Sequence, residues 1–457
     1  MDAKPDLKTT AGRIADLHNR TAEAPDSAAR HRVESLLDEG SFVEIDALAR
    51  HRSTDFGREH DRPVTDGVVT GYGTVAGRKV CVFSQDITVF DGTLGEVFGE
   101  KLTKVYDLAI KTGTPIVGMY ESAGPRVQEG IVTLAMYAQV MARITEASGL
   151  IPQVSVIFGE TRDMAQFPPA MADIVIGGAG AHLPAESDDD AVAATRSVLG
   201  YLPQNNRAEV PRTNAEISHG SIADRITDSD RELNDIVPDD AHYDMREVVE
   251  KTVDADSFLE LTAADSPNML TGFARIEGRC VGLVANQPLS SNGEIDDAGA
   301  EKAARFIRVC DAFNIPIIEF VDSAGVTASA RRASKLAFAF AEATVGKVTV
   351  ITRRAVGPAY VFMGAKDLGA DLAYAWPTAT IAVADNPAAE IYGDDATAEQ
   401  EEELAHQFLH PYAAAERGLI DAVIEPAATR GYLIESLRLV ERKIHTPQPK
   451  KHGNIAL

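Results

Sequence analysis

The sequence predicts an α/β protein that contains two duplicated domains, each built around a parallel sheet. An apolar run at 115–120 is followed by a predicted helix over about 126–147 and by a second apolar run at 154–158. Strand, helix and strand in that order favour a parallel sheet with right-handed crossovers. The same order returns 201 residues later, and a repeat of that length indicates duplicated domains rather than a solenoid.

The repeat is clearest at two turns of small residues. One reads Glu-Ser-Ala-Gly-Pro-Arg at 121–126, and the other reads Asp-Ser-Ala-Gly at 322–325, after the apolar run 316–321. A turn between a buried strand and a helix presents backbone N–H groups that can hold negative charge. A single copy is explained as a helix N-cap, but two copies in matched register favour stabilisation of an enolate or similar oxyanion.

The remaining elements follow from local patterns. Residues 9–39 are predicted to form a helical arm with Thr9 or Thr10 as N-cap. Extended runs at 67–75 and 79–84, with turn glycines between them, predict a hairpin, and a helix is expected over about 96–112.

The two halves are separated by a polar stretch. An acidic run at 186–190 and a segment rich in Pro, Asn and Asp at 203–240 read as a helix-containing linker. We therefore expect an N-terminal domain over 1–240 and a C-terminal domain over 241–457. After Gly325 the second copy is seven residues shorter, so that 348–351 matches 154–157 at an offset of 194.

Composition excludes several classes of function. The chain has 44 Lys and Arg against 69 Asp and Glu, a net charge of −25 that argues against nucleic-acid or anionic-membrane binding. Its three cysteines form no CxxC pair, and its histidines lack metal-ligand spacing, so neither a disulfide framework nor a metal site is predicted. With no apolar stretch that could span a bilayer, a cytoplasmic protein is expected.

A second pair of loops follows the strands at 154–158 and 348–352. At the offset of 194, Asp163 matches Gly357 and Met164 matches Pro358. An ordinary strand-to-helix turn remains an alternative for both loops. A solvated helix face is the simplest interpretation of Arg126 and Glu129.

Short motifs spread along nearly the whole chain resemble a known family. They include RSTDFG at 52–57, GLIPQVS at 149–155, YLPQNN at 201–206, RFIRVCDAF at 305–313 and AWPTA at 375–379. These motifs resemble the carboxyltransferase (β) subunit of acyl-CoA carboxylases, in particular the propionyl-CoA carboxylase type of actinobacteria. The resemblance implies two tandem crotonase-like (ClpP/crotonase) ββα-spiral domains and a dimer-based hexamer.

The resemblance also implies an activity. Acyl-CoA is expected at the first domain, and biotin, carried on a biotin carboxylase or biotin carrier subunit, is expected at the second domain of the dimer mate. The carboxyl group moves from biotin to the thioester α-carbon without a side-chain nucleophile, and two backbone oxyanion holes stabilise the anions that form.

The sequence departs from the family at both oxyanion holes. The family's Gly-Gly-Ala becomes Asp163-Met164-Ala165 on the acyl-CoA side, where Cβ atoms and a carboxylate stand near the thioester oxygen. On the biotin side it becomes Gly357-Pro358-Ala359, and proline has no N–H. Loss of one oxyanion donor typically costs about 2.7–4 kcal/mol. The loops at 179–186 and 326–330 are also shorter than in the family.

The expected site residues fall into three groups. The catalytic positions are Asp163, Met164, Pro358 and Ala359; substrate binding is assigned to Ala123, Gly124, Arg126, Arg162, Ala165 and Val361; and the biotin side comprises Ser323, Ala324, Gly325, Gly357 and Tyr360. Val361 matches a position that gates acyl size in the family, and its apolar side chain suits an unbranched acyl group.

Three functions are consistent with these residues. The first is a carboxyltransferase subunit with retuned sites that acts on a short acyl-CoA. The second dispenses with biotin and decarboxylates or otherwise transforms a malonyl-type or carrier-bound thioester, with Asp163 or Arg162 as acid or base. The third is a non-catalytic subunit that completes a hetero-oligomer with an active paralogue.

Overall fold

The computed structural model describes residues 5–237, 242–446 and 448–455, and the chain divides into two compact units, Met1–Glu209 and Val210–Leu457. The expected boundary after residue 240 lies outside the described residues. The stretch before it was expected to be a linker, but it packs on the second unit. Leu233 is fully buried in that unit's core, and the Thr213 N–H donates to the Gly278 carbonyl at 2.9 Å.

Residues 5–209 of the first unit, which the structure describes, form six strands and six helices. The strands are β1 (Val43–Ile45), β2 (Val68–Val75), β3 (Arg78–Gln85), β4 (Ile116–Ser122), β5 (Gln153–Thr161) and β6 (Ile174–Ile176). The helices are α1 (Thr10–Thr21), α2 (Ala28–Leu36), α3 (Glu96–Thr112), α4 (Val132–Ala147), α5 (Phe167–Ala170) and α6 (Asp188–Tyr201). The sheet order is β1 to β6, antiparallel up to β3 and parallel from there on. The predicted hairpin and parallel core are thus confirmed.

Two predicted helices have different bounds in the structure. The arm at 9–39 is two helices, because Pro25 lies between α1 and α2 and cannot continue the backbone hydrogen bonds. Thr9 does cap α1, accepting the Gly12 N–H at 3.0 Å. The helix expected from 126 begins at Val132, since Gly130 has a φ of 69° that no α-helix accommodates.

The hydrophobic core of the first unit includes the face of α3 that packs on the sheet. Helix α3 buries Phe98, Leu102 and Val105 on the face toward the sheet and ends at Gly113, whose φ is 61°. Its left-handed conformation is the usual C-terminal stop, and glycine adopts it without a Cβ clash. Truncation of a buried phenylalanine such as Phe98 typically costs about 3–5 kcal/mol.

The second unit contains eight strands and ten helices among its described residues. The strands are β7 (Leu259–Leu261), β8 (Met269–Ile276), β9 (Arg279–Asn286), β10 (Ile317–Ser323), β11 (Lys347–Val356), β12 (Leu372–Ala375), β13 (Thr380–Ala382) and β14 (Ala422–Val423). The helices are α7 (Asp228–Arg231), α8 (Leu233–Ile236), α9 (Met245–Thr252), α10 (Asp297–Ala312), α11 (Ala330–Glu342), α12 (Pro358–Phe362), α13 (Pro387–Tyr392), α14 (Ala398–Phe408), α15 (Tyr412–Glu416) and α16 (Thr429–Val440). The sheet order is β14-β12-β11-β10-β9-β8-β7, with β13 beside β11.

The predicted duplication holds strand by strand. Strands β8, β9 and β10 each begin 201 residues after β2, β3 and β4, and β11 begins 194 residues after β5. The fold is therefore two copies of one α/β unit with the same hairpin and the same parallel strands. In the part of the chain that the structure describes, no helix combines the length and the apolar character needed to cross a membrane.

Candidate active site

The first turn lies where β4 and β5 end together. The two strands pair in parallel up to Tyr120 and Ile157, and then the register shifts so that Ser122 faces Thr161. A bulge of this kind bends the strand end and redirects the residues that follow. Ser122 is fully buried, and its hydroxyl donates to the Gly92 carbonyl at 2.7 Å.

The N–H groups of this turn are used inside the fold. The Gly124 N–H donates to the Ser122 hydroxyl at 3.1 Å, and the Ala123 N–H donates to the Asp91 carbonyl at 3.1 Å. Neither N–H is left for an anion. The turn at 121–126 is therefore a structural wall of the site, and the expectation that it presents an oxyanion hole of its own is wrong.

The opposite wall is the tight turn after β5. The Arg162 N–H donates to the Ser122 carbonyl at 3.0 Å, and the Ala165 N–H donates back to the Arg162 carbonyl at 2.9 Å. Met164 lies between these residues, and its N–H has no acceptor in the described chain. Met164 therefore supplies an unbonded donor on the side where the sequence places acyl-CoA.

Asp163 narrows the space between the two walls. Its φ is 49°, a left-handed conformation that costs a non-glycine residue about 1–2 kcal/mol. A methyl group built on Gly124 would lie 3.3 Å from the Asp163 Cβ and 3.3 Å from the Arg162 carbonyl oxygen. The Asp163 side chain thus stands close against Gly124, and the Asp163 carboxylate itself is exposed.

The surroundings of this wall are acidic. Arg162 is 64% exposed and forms an ion pair with Glu160. Glu121 is held by Arg32 at 2.6 Å, and the same guanidinium contacts Asp188 at 2.7 Å. Both cations near the wall are therefore already paired with carboxylates.

Arg126 does not have the role expected from the sequence. It is 2% exposed, and its guanidinium lies 2.7 Å from Asp66 and 2.8 Å from Glu129. A further bond goes to the Thr93 carbonyl at 2.9 Å. Burial raises the pKa of Asp66, and the Arg126 cation opposes that rise. Arg126 fixes the turn from inside the fold, so both the substrate-binding assignment and the solvated helix face are corrected.

The second unit builds the matching turn in the same way. Strands β10 and β11 shift register just before Ser323, which then faces Ala355. The Gly325 N–H donates to the Ser323 hydroxyl at 3.3 Å. A methyl group built on Gly325 would meet nothing within 4 Å, so this wall faces open space. Ala324 lies between these two residues and is half-buried.

The biotin-side loop has fewer free N–H groups than the sequence suggested. The φ of Gly357 is 56°, and its N–H donates to the Ala382 carbonyl on β13 at 2.9 Å. Pro358 opens α12 and has no N–H. Ala359, fully buried, is therefore the first residue of the loop whose N–H has no partner within the helix.

Two further expected residues lie on the same short helix. The Tyr360 hydroxyl is buried without a hydrogen-bond partner among the described residues, and burial raises the pKa of Tyr360. Val361 is 44% exposed. An apolar surface thus lies next to an unsatisfied hydroxyl at this end of the second unit.

A buried ion cluster behind this loop was missed by the sequence reasoning. Asp322 is completely buried and accepts from Arg353 Nε at 2.9 Å and Arg354 Nε at 3.0 Å. The Arg353 guanidinium also lies 5.4 Å from the ring of Tyr243. The signal was present in the sequence, because an acidic residue precedes Ser-Ala-Gly in both repeats.

Hydrogen bonds hold both of the segments that are shorter than in the family, 179–186 and 326–330. After β6, the Gly177 N–H donates to the Leu183 carbonyl at 2.9 Å, and His182 Nδ1 accepts from the Val175 N–H at 2.9 Å. After β10, Asp297 at the start of α10 accepts from both the N–H and the hydroxyl of Ser329, at 2.7 and 2.8 Å. The first segment therefore folds back onto β6, whereas the second is held against the start of α10.

Comparison with known proteins gives a consistent result over the whole chain. The family described as carboxyl transferase domain matches residues 23–180 and 177–455. The propionyl-CoA carboxylase beta chain of Saccharopolyspora erythraea is 46% identical over 531 aligned positions, which cover 99% of this chain and 97% of that protein. The methylmalonyl-CoA decarboxylase subunit alpha of Veillonella parvula is 40% identical, covering 94% and 93%.

The solved structures agree. The hexameric transcarboxylase 12S, with methylmalonyl-coenzyme A bound, superposes with a TM-score of 0.92 and 36% identity, covering 98% of this chain and 99% of that one. Because 531 aligned positions exceed the 457 residues of this chain, at least 74 positions carry no residue here (531 − 457). The two family matches overlap at 177–180, where the shortened segment after β6 begins. The chain belongs to the carboxyl transferase domain family.

Proposed function

We propose that this chain is the carboxyltransferase subunit of a biotin-dependent acyl-CoA carboxylase and that it acts slowly on a short acyl-CoA. The observation that carries the proposal is the matched backbone of the two loops. Asp163 and Gly357, which align at the offset of 194, have φ values of 49° and 56°. Both loops therefore keep at this position a positive φ, which a glycine adopts most easily, although an aspartate replaces the glycine in the first unit.

The proposed mechanism relies on backbone groups of this chain. The Met164 N–H donates to the thioester oxygen as negative charge develops there on loss of the α-proton. Biotin, when bound, supplies the carboxyl group and accepts that proton. On the biotin side the Ala359 N–H is the donor, next to the open space at Gly325. Since Pro358 offers no donor and the Gly357 N–H is bound to Ala382, we expect a rate at least about 100- to 1,000-fold below that of a loop with both donors.

The substrate class follows from the relatives. Their names specify propionyl-CoA, acetyl- or propionyl-coenzyme A and methylmalonyl-CoA. The exposed apolar side chain of Val361 is compatible with a short unbranched acyl group. We therefore propose acetyl-CoA or propionyl-CoA as acceptor.

The partners follow in the same way. We propose a cytoplasmic homo-oligomer, based on dimers and reaching a hexamer as in transcarboxylase 12S, that receives biotin on a separate carrier subunit. The alternative functions would instead use an active paralogue or an acyl carrier protein as partner.

A second candidate has a specific observation in its favour. The Gly357 N–H is bound to Ala382 and Pro358 has none, so the biotin-side loop lacks both N–H groups of the family's glycine pair. A biotin-independent decarboxylase of a malonyl-type thioester would use only the Met164 side. One relative at 40% identity is named as a decarboxylase subunit.

One assay separates these candidates. Purified protein receives propionyl-CoA and carboxylated biotin carrier, or methylmalonyl-CoA with and without the carrier, and carboxyl transfer and CO2 release are measured. Carrier-dependent transfer supports the carboxyltransferase. CO2 release from methylmalonyl-CoA without carrier supports the decarboxylase and rejects the first proposal. Neither activity, together with co-purification of a paralogue, supports the non-catalytic subunit.

A further inference from the structure

A buried carboxyl group in the second unit has no role in the mechanism above. Glu319 lies in the middle of β10, between Val284 of β9 and Thr349 of β11, and its exposed fraction is 0%. The matched position in the first unit is Gly118 (319 − 201). No Lys, Arg or His among the described residues forms an ion pair with it, although buried carboxylates are normally paired.

The hydrogen bonds around Glu319 determine its protonation state. The Thr349 hydroxyl oxygen lies 2.6 Å from Glu319 Oε2 and 2.6 Å from the Gly364 carbonyl oxygen. A threonine hydroxyl has one hydrogen. With an ionised Glu319, one of these contacts would join two oxygens with no hydrogen between them. With a protonated Glu319, the acid donates to Thr349 and Thr349 donates to Gly364, so both contacts are satisfied.

The charges nearby support the neutral form. Glu319 Oε1 has no hydrogen-bond partner in the described structure, which costs less for a neutral acid than for a carboxylate. Lys347 on β11 directs its ammonium group to the Phe340 and Ala343 carbonyls, and Asp371 before β12 adds a negative charge. Burial raises the pKa of Glu319 to about 8, against the opposing effects of Thr349 and Lys347.

The chain of hydrogen bonds ends at the biotin-side loop. Gly364 follows Met363, whose N–H donates to the Ala359 carbonyl at 3.0 Å at the end of α12. A methyl group built on Gly364 would lie 2.8 Å from Glu319 Oε2 and 3.0 Å from the Thr349 hydroxyl oxygen. The acid, the hydroxyl and the glycine therefore pack directly against one another beneath the helix that carries Ala359.

We propose that Glu319 is a protonated positioning residue that holds the Gly364 carbonyl through Thr349 and thereby fixes α12 and its Ala359 N–H. The catalytic consequence rests on the proposed function, whereas the protonation of Glu319 does not. The two parts are therefore tested separately.

Infrared spectroscopy of the full-length protein tests the protonation. We expect a protonated-carboxyl C=O band at pH 6 that is lost in Glu319→Gln and that disappears from the wild type as the pH rises through about 8. A pH 6 spectrum in which Glu319→Gln removes no such band overturns the proposal, whether or not the protein is an active carboxyltransferase.

Unfolding by urea gives a second readout of the same group. Folded Glu319 keeps its proton between pH 4.5 and about 8, where a glutamate in the unfolded chain has lost it. The folded state then binds more protons, so the stability of the wild type falls as the pH rises through that window. In Glu319→Gln, the stability should no longer fall over this pH range. An unchanged pH profile in the variant contradicts a raised pKa.

Carboxyl transfer tests the positioning role. Glu319→Gln keeps a neutral N–H donor toward Thr349, whereas Glu319→Leu and Thr349→Val break the chain. We expect the latter two to lower kcat at least tenfold with little change in KM for acyl-CoA, and Glu319→Gln to retain most of kcat. Thr271→Val, which removes another buried threonine hydroxyl of the same sheet, is the control. Equal losses in Thr349→Val and Thr271→Val, or in Glu319→Gln and Glu319→Leu, would overturn the role.

Discussion

The matched segments at the ends of β5 and β11 carry side chains of opposite net charge. Positions 159–164 of the first unit read Gly-Glu-Thr-Arg-Asp-Met, and the matched positions 353–358 of the second read Arg-Arg-Ala-Val-Gly-Pro. The acidic residue before Ser-Ala-Gly is held from α2 in one unit, where Arg32 reaches Glu121 at 2.6 Å. In the other it is held from the neighbouring strand β11, where Arg353 and Arg354 enclose Asp322.

The two proposed anion sites therefore differ from the family's Gly-Gly-Ala loop in different ways. The first unit keeps a free N–H at Met164 but places the Asp163 side chain against Gly124. In the second unit there is open space at Gly325. Pro358 has no N–H, however, and the Gly357 N–H donates to the Ala382 carbonyl. The first loop has a side chain beside its glycine wall and the second has fewer N–H donors, although both keep a positive φ at the matched position.

The largest expected effect is on folding stability, at the acidic residues that precede Ser-Ala-Gly in the two units. Asp322→Asn leaves the buried Arg353 and the partly buried Arg354 without their counter-charge, and loss of one partner of a buried ion pair costs about 3–5 kcal/mol. Glu121→Gln removes one partly exposed pair, which costs about 1 kcal/mol. Urea unfolding of the full chain measures both. Similar losses of unfolding free energy in the two variants would mean that the ion pairs of Asp322 and Glu121 stabilise the fold equally.

A smaller effect is expected from Asp163. Asp163→Gly removes the Cβ and the carboxylate and should raise carboxyl transfer at least tenfold, which corresponds to about 1.4 kcal/mol in the barrier. Asp256→Gly is the matched control, because Asp256 is also an exposed aspartate with a left-handed φ, of 54°. Both variants relieve the same backbone strain, so only Asp163→Gly should change kcat/KM. An equal change in both would assign the effect to strain alone.

The smallest effect is expected from Pro358 alone. Pro358→Gly restores an N–H, but the Gly357 N–H stays on Ala382 and the first unit stays narrowed by Asp163. We therefore expect less than about a threefold gain in biotin-dependent transfer, or about 0.7 kcal/mol. A gain of a hundredfold in this single variant would show that Pro358 alone limits the reaction.

The sequence predicts the fold well because the strands are local patterns that repeat. The apolar runs, their glycine turns and the offsets of 201 and 194 are all present in the structure. Helix starts were less predictable, since the beginning of α4 depends on the conformation of Gly130 rather than on hydrophobic periodicity.

The site was predicted only in part, because hydrogen-bond partners come from distant parts of the chain. Arg126 has the sequence context of a helix start, but Asp66 lies 60 residues earlier and makes it a buried clamp. The Gly357 N–H could not be counted as used without β13, which the sequence did not reveal. The sequence did not reveal the role of Glu319, because its position in a strand does not show which residues surround its side chain.

The most direct test of a retained but weakened carboxyltransferase is the double variant Asp163→Gly with Pro358→Gly. Its carboxyl transfer from a carboxylated biotin carrier to propionyl-CoA is compared with that of the wild type and of each single variant. We predict slow carrier-dependent transfer by the wild type and a gain in the double variant of about 100-fold, larger than the product of the single gains. Wild-type thioester turnover without the carrier, or a double variant no faster than Asp163→Gly, would contradict it.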